Sequence, residues 1–216
     1  MTIELKFYGL RPIDPLQVGE AGLKMQVRGD LPEAKASGFV TVTTILREML
    51  GPAKFGQVVA KLSPPTAALV KVPPLPIQWI PCDRYGELVS TALVHGFGGD
   101  EEQLIEMGRR AFFHDLNTLY KLFVRLRSPG WVMERGSKLW LTFNRNNGML
   151  HTKPIGERQC QVTYEKVCAV YPGFWSYQRG CLLAVVKATG YAKATVLFTS
   201  GGTASGDATL VVDWSQ

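Results

Sequence analysis

The spacing of apolar residues predicts helices over most of the first two thirds of the chain. Val42, Ile45 and Leu46 begin a run in which apolar residues recur every three or four positions, as in a helix with one buried face. Gly51 is expected to end that helix, and Pro52 suits the first turn of the next one. The same spacing predicts further helices over residues 81–95, 100–112, 115–126, 129–135 and 137–145.

Two acidic residues in this region are suited to cap helices. Asp100 and Gln103 resemble a capping box, in which the carboxylate accepts a first-turn amide and the glutamine reaches back. Asp115 is expected to cap the helix that follows it, because an aspartate oxygen can accept an otherwise unpaired backbone N–H.

After Gly148 the pattern changes to that of strands. Residues 149–154 and 158–165 alternate between apolar and polar side chains, which predicts a hairpin. A long helix over 173–189 and two closing strands, 194–199 and 208–214, follow. The predicted fold class is therefore α+β, with an N-terminal helical layer followed by an antiparallel sheet of about four strands and one long helix packed on it.

Two segments near the N-terminal half do not fit the helical pattern. Residues 3–8 and 23–27 alternate and predict two short strands. Residues 64–81 contain six prolines, which cannot continue as a long helix or a central strand, so a rigid loop packed by Trp79 and Ile80 is expected there.

Composition narrows the class of protein. With 216 residues, 46% of them hydrophobic, the chain can form a core without disulfides or metal. No apolar run approaches the roughly 20 residues that span a bilayer, and the N-terminus lacks the apolar region of a secretory signal. The four cysteines show no CxxC spacing and suit reduced thiols. A cytoplasmic protein is expected.

The positive charge is concentrated in one segment. The formal net charge is +6, and the stretch from Arg109 to Arg145 holds eight basic and two acidic residues. Such a face favours an acidic partner, although ordinary solvated helices give the same pattern. Nucleic acid is less expected than protein, because no stacking aromatics accompany the charge. The candidate basic-face residues are Arg109, Arg110, Arg125, Arg135 and Lys138.

The sequence contains no recognisable catalytic set. No phosphate-binding or dinucleotide-binding loop occurs, and Cys82, although near a predicted helix start, has no base close in sequence. A zinc site would need Cys160, Cys168, Cys181 and His151 to converge through folding. The prediction is a protein that is not an enzyme and has no metal or cofactor.

Several segments carry a family resemblance. Residues 99–151, 172–198 and 205–214 resemble a bacterial paralogous family of unknown function that is related to the 4-vinyl reductase and heme-NO-binding-like sensory domains. The resemblance covers about residues 37–216, which implies a single α+β domain there and an extension over 1–36. The matching residues in the first segment are Gly108, Arg109, Asp115, Leu116, Tyr120, Leu126, Ser128, Pro129, Trp140 and Gly148.

The resemblance also implies what such domains do. Relatives, which are similar in fold to small subunits of the TRAPP tethering complexes, bind small apolar ligands or act as dimeric scaffolds and are mostly not enzymes. Cys168 matches the first zinc ligand of metal-containing relatives, but the last hairpin here has neither Glu nor Cys. The Tyr-x-Ser-x-Arg motif of heme sensors is absent, which leaves His95 and His114 as conceivable axial ligands.

Two functional hypotheses follow. The first is a non-enzymatic, dimeric regulatory module in bacterial signalling, with an apolar pocket between the long helix and the sheet. The second is a structural or interaction protein that uses the basic face to bind an acidic protein or nucleic acid. The candidate pocket residues of the first hypothesis are Trp79, Phe174, Trp175, Tyr177 and Cys181.

Overall fold

The computed structural model describes residues 31–119, 128–204 and 206–215. The strands predicted over 3–8 and 23–27 lie outside these residues. So does most of the helix predicted over 115–126, together with Arg125 of the predicted basic face.

The helical layer comes first along the chain and contains one small sheet. A π-helical turn, Ala92–Gly96, continues the third helix. The elements are β1 (Glu33–Lys35), α1 (Ala36–Val59), α2 (Pro64–Lys71), β2 (Trp79–Pro81), α3 (Cys82–Thr91), α4 (Glu101–Leu119), α5 (Pro129–Met133), α6 (Gly136–Phe143) and β3 (Asn144–Arg145).

The second half of the chain forms the main sheet and the helix packed on it. Its elements are β4 (Met149–Gly156), β5 (Gln159–Glu165), α7 (Phe174–Ala188), β6 (Thr195–Gly201) and β7 (Ala208–Asp213). The strands run antiparallel in the order β4-β5-β7-β6, with Val162 opposite Leu210. The predicted fold class is confirmed: helices lead into a four-stranded antiparallel sheet with one long helix packed on it.

The described residues form two hydrophobic clusters with α7 between them. One cluster joins the sheet to α7 through Val162, Leu210 and Val185. The other joins α1, α3 and α4 to Tyr177 and Cys181 on α7. Both long faces of α7 are therefore buried, which explains why this helix is apolar around most of its circumference.

Helices α4 and α7 cross at glycines. A Cβ atom added at Gly108 would lie 2.4 Å from the Tyr177 carbonyl oxygen, and one added at Gly180 would lie 2.1 Å from the Ile105 carbonyl oxygen. No side chain fits at such distances from backbone, so the two glycines permit this close approach.

Two sequence predictions need correction, and one small sheet was missed. The first eight residues of the expected proline-rich loop form α2, because Pro64 and Pro65 occupy its first turn, where no backbone N–H is needed. The small sheet β2-β1-β3 was not predicted, since its strands are only two or three residues long. Asp115 does not begin a helix but lies within α4, and its side chain is buried.

Two other predictions are confirmed at single residues: the helix break at Gly51 and the aspartate half of the capping box at Asp100. The helix break at Gly51 is present, with a φ of 73° inside the kinked α1. Asp100 Oδ1 accepts the Glu102 amide at 2.9 Å at the start of α4.

Among the described helices, none is both long enough and apolar enough to cross a membrane.

Candidate functional site

A cavity of about 130 Å³ lies where the two hydrophobic clusters meet. Phe112 and Tyr171 line it and pack against both clusters. The starts of α1 and α3, the later part of α4, α5, α6, β4 and β5 provide the other walls. One side of the cavity is formed by α7 with Phe174, Tyr177, Gln178, Cys181, Leu182 and Val185.

The cavity walls are rich in aromatic side chains in defined contact. The hydroxyls of Tyr85 and Tyr177 share a hydrogen bond of 2.7 Å, and their rings meet edge to face with centroids 6.0 Å apart. Phe112 and Phe143 form a second edge-to-face pair at 5.7 Å. These mutual contacts hold the rings in place, so the cavity has a defined shape.

Asp115 brings a carboxylate to this mostly apolar cavity. The residue is only 6% exposed, and Thr41 on α1 donates a 2.6 Å hydrogen bond to its Oδ1. Burial raises the pKa of Asp115 to about 6, while the Thr41 hydrogen bond and the neighbouring His114 oppose the increase. The carboxyl group therefore changes charge near neutral pH.

Two further titratable groups lie within electrostatic reach of this carboxylate. Burial raises the pKa of the Tyr85 phenol and of the Cys181 thiol, and the Asp115 charge adds to both increases. Both groups are therefore protonated at neutral pH.

A buried asparagine holds the cavity wall formed by residues 168–171. Asn147 Oδ1 accepts the amides of Cys168 and Ala169 at 3.1 and 3.0 Å, and its Nδ2 lies 3.7 Å from the Cys82 sulfur. Burial raises the pKa of Cys82 to about 12. Since the thiolate is the reactive form of cysteine, Cys82 is poorly suited to nucleophilic chemistry.

The structure brings three of the five predicted pocket residues to the cavity: Phe174, Tyr177 and Cys181. Trp175 instead lines a separate, wider groove, and its Nε1 donates to the Thr203 carbonyl at 2.7 Å. Trp79 lies on β2 beside Lys35 and Arg145, and it lines neither the cavity nor the groove. A ligand-binding role for these residues stays a prediction.

Asp115, Thr41 and Tyr85 were not predicted as site residues from the sequence. A signal for Asp115 existed, because it follows Gly108 and Ala111 at helical spacing on the inner stripe of α4. An aspartate at such a position is either buried with a partner or paired with a ligand.

The predicted basic face is less free than its charge suggests. Arg109 and Arg110 both pair with Glu106, which lies just outside the segment whose charge was counted. The Arg135 guanidinium stacks 3.5 Å from the centre of the Trp131 ring, whereas Lys138 is exposed. Binding of an acidic partner by this face stays a prediction.

No protein-family model matches the sequence, and no curated protein matches it. Solved structures of H-NOX domains do match in fold. An H-NOX domain from K. algicida, in the Fe(II) unliganded state, is 8% identical with a TM-score of 0.65 and covers 84% of this chain and 97% of its own. An oxygen-binding H-NOX domain related to soluble guanylate cyclases is 14% identical with a TM-score of 0.61, covering 84% and 95%.

At these identities the likeness establishes the fold, and the chain has the fold of an H-NOX domain. The matches support the heme-NO-binding-like part of the sequence resemblance. They give no support to its 4-vinyl reductase and TRAPP parts.

One matched structure concerns the tuning of heme redox potential through porphyrin distortion, so the fold implies heme. The residues around the cavity of this chain do not fit that group. All three histidines, His95, His114 and His151, are exposed, and none lines the cavity. The expectation that His95 or His114 could serve as an axial ligand is therefore not supported.

The other possible iron ligands and the volume of the cavity do not fit heme either. The thiols and two of the phenols that line the cavity already have partners within the protein: Cys82 Sγ lies 3.7 Å from Asn147 Nδ2, and the hydroxyls of Tyr85 and Tyr177 are hydrogen-bonded to each other. The cavity is also well below the roughly 300–1,000 Å³ typical of cofactor and drug-sized sites. Within the described residues, no three His, Cys, Asp or Glu side chains group so as to hold a metal ion.

Proposed function

We propose that this chain is a non-enzymatic regulatory module of bacterial signalling that binds a small, mostly apolar ligand other than heme. The observation that carries the proposal is the aromatic-lined cavity between its two hydrophobic clusters. The H-NOX fold supports it, because one matched domain binds oxygen and is related to soluble guanylate cyclases.

The position of the cavity gives a means of regulation. Phe112 and Tyr171 touch both clusters, so a ligand beside them contacts the helical layer and the sheet at once. A ligand shifts a conformational equilibrium only as far as it binds one state better than the other. Filling a space shared by two layers favours the arrangement in which both layers close on the ligand.

The chemistry of the walls supports binding rather than catalysis. The buried thiols are protonated, and the imidazoles are exposed away from the cavity. Nucleophilic catalysis needs an activated nucleophile with a base in hydrogen-bond reach. The described residues that line the cavity bring no such pair together.

The experiment uses toluene as an apolar probe of the cavity and measures the thermal unfolding temperature. At a toluene concentration ten times its Kd, binding adds about 1.4 kcal/mol to the stability, which raises Tm by roughly 3–6 °C in a domain of this size. An unchanged Tm up to the solubility limit of toluene would argue against the proposal.

A matched pair of substitutions on α1 locates the binding. Gly38 lines the cavity, and a Cβ added there meets the Tyr85 ring at an ordinary 3.5 Å, so Gly38→Leu extends its side chain into the space. Gly56 is exposed, and an added Cβ there meets nothing within 4 Å, so Gly56→Leu is the control. The toluene effect should disappear in Gly38→Leu and persist in Gly56→Leu.

A homodimer, a cytoplasmic location and the division into residues 1–36 and 37–216 remain proposals from the sequence. The alternative function, an interaction protein that uses the basic face, also remains a proposal. The Glu106 pairing of Arg109 and Arg110 weakens it.

A further inference from the structure

The volume of the cavity suits a ligand of about one ring. A cavity of about 150 Å³ lined by apolar side chains is large enough to bind benzene. The cavity here, at about 130 Å³, is close to that size. Its aromatic walls, Tyr85, Tyr177, Phe112 and Phe143, offer ring-to-ring contact to an aromatic ligand.

One feature of the lining calls for a ligand that is not purely apolar. Asp115 is the acidic residue among those lining the cavity, and it is 6% exposed. Burying a carboxylate without a compensating cation is costly, and a hydrogen bond from a neutral hydroxyl compensates only in part. Thr41 supplies that neutral hydrogen bond.

Two basic residues, Lys35 and His114, lie near the cavity, and a cationic ligand would be an additional partner for Asp115. Lys35 also lines the cavity, but its ammonium lies 4.5 Å from the centre of the Trp79 ring, with which it interacts. The side chain of His114 is 57% exposed, and its Nδ1 lies 3.8 Å from Asp115 Oδ1, so solvent screens the interaction between them. A cationic ligand in the cavity would face the same buried carboxylate.

We propose that the ligand is a small arylalkylammonium ion, a single aromatic ring on a short chain ending in a protonated amine. Its ammonium pairs with Asp115, and its ring packs among Tyr85, Tyr177, Phe112 and Phe143. Aromatic walls suit such a ligand twice, since they contact its ring and also attract its positive charge. This inference rests on the proposed ligand-binding function and names the ligand's chemical class.

The test compares three probes of nearly equal size: benzylamine, toluene and benzoate. Calorimetric titration at neutral pH should give benzylamine at least about tenfold tighter binding than toluene, equivalent to about 1.4 kcal/mol. Benzoate should bind more weakly than either, because its carboxylate would face Asp115.

Two variants separate the charge of Asp115 from the net charge of the protein. Asp115→Asn keeps an oxygen for the Thr41 hydroxyl and removes the charge, so the ratio of benzylamine affinity to toluene affinity should fall at least tenfold. Glu48→Gln removes one exposed charge on α1 and should retain the full preference. Circular dichroism and unfolding curves establish that both variants are folded.

The outcomes distinguish the two proposals. Toluene binding equal to benzylamine binding in the wild type, or an unchanged preference in Asp115→Asn, overturns the ammonium ligand and leaves the proposed function standing. If none of the three probes binds, both proposals are overturned.

Discussion

Replacing Asp115 with Asn is expected to stabilise the protein at neutral pH, although the residue is buried and hydrogen-bonded. The folded-state pKa is raised from 3.8 to about 6. Each pKa unit corresponds to about 1.4 kcal/mol, so the ionised carboxylate makes the folded state about 3 kcal/mol less stable at pH 7.5 than it would be with a neutral group. The asparagine oxygen can still accept the Thr41 hydroxyl.

The sign of the pH dependence follows from the raised pKa. The neutral acid is favoured in the folded state, so its contribution is fully present below the unfolded pKa of 3.8 and is lost as the pH rises through about 6. The neighbouring groups on the packed elements are Thr41, Tyr85, Cys181 and His114. Tyr85 and Cys181 stay protonated over this range. The stability gained by Asp115→Asn should therefore grow between about pH 4 and pH 6 and level off above.

Urea unfolding at several pH values measures the difference directly, with Glu48→Gln as the control for net charge. A gain of about 3 kcal/mol corresponds to roughly 6–12 °C in Tm for a protein of this length. The reasoning is refuted if Asp115→Asn is less stable than the wild type at pH 7.5, or if the difference between them is the same at pH 4 and pH 7.5.

Two further predictions concern the helix crossing and the absence of heme. Gly180→Ala should destabilise the protein by about 3 kcal/mol or more in urea unfolding, because its Cβ would lie 2.1 Å from the Ile105 carbonyl oxygen. The control Gly56→Ala, at an exposed position, should instead gain about 0.5–1 kcal/mol of stability. Equal effects of the two substitutions would contradict the crossing geometry. Protein purified from heme-replete cells should show no Soret band, and a stoichiometric band would contradict the conclusion that the residues around the cavity do not fit heme.

Most of the fold could be predicted because its elements follow simple patterns. The hairpin β4-β5 and the long helix α7 each have one clear periodicity, and the described bounds lie close to the predicted ones. The expected loop at Pro64 and Pro65 was wrong because two prolines at a helix start cost no hydrogen bond. A proline indicates that a helix begins or ends nearby, and the residues after it determine whether a helix follows.

The site was harder to predict because its residues come from elements far apart in sequence. Thr41 and Asp115 are 74 positions apart and meet through the packing of α1 on α4. Aromatic residues on α7 gave a visible stripe, which explains why Phe174 and Tyr177 were predicted and Tyr85 was not.

Asp115 offers a more general signal than the aromatic stripe. Its spacing from Gly108 and Ala111 assigns it to the buried face of α4, where a carboxylate destabilises the fold unless something compensates its charge. A helix-capping role gave it a purely local explanation, yet the continuous helix from Glu101 to Leu119 removes that explanation. What remains is a charge whose partners, Thr41 and the largely exposed His114, compensate only part of its cost, since the pKa of Asp115 stays raised. The lower stability of the unliganded protein and its preference for a cationic ligand thus both come from the buried charge of Asp115. Asp115→Asn should therefore raise the stability and lower the preference together.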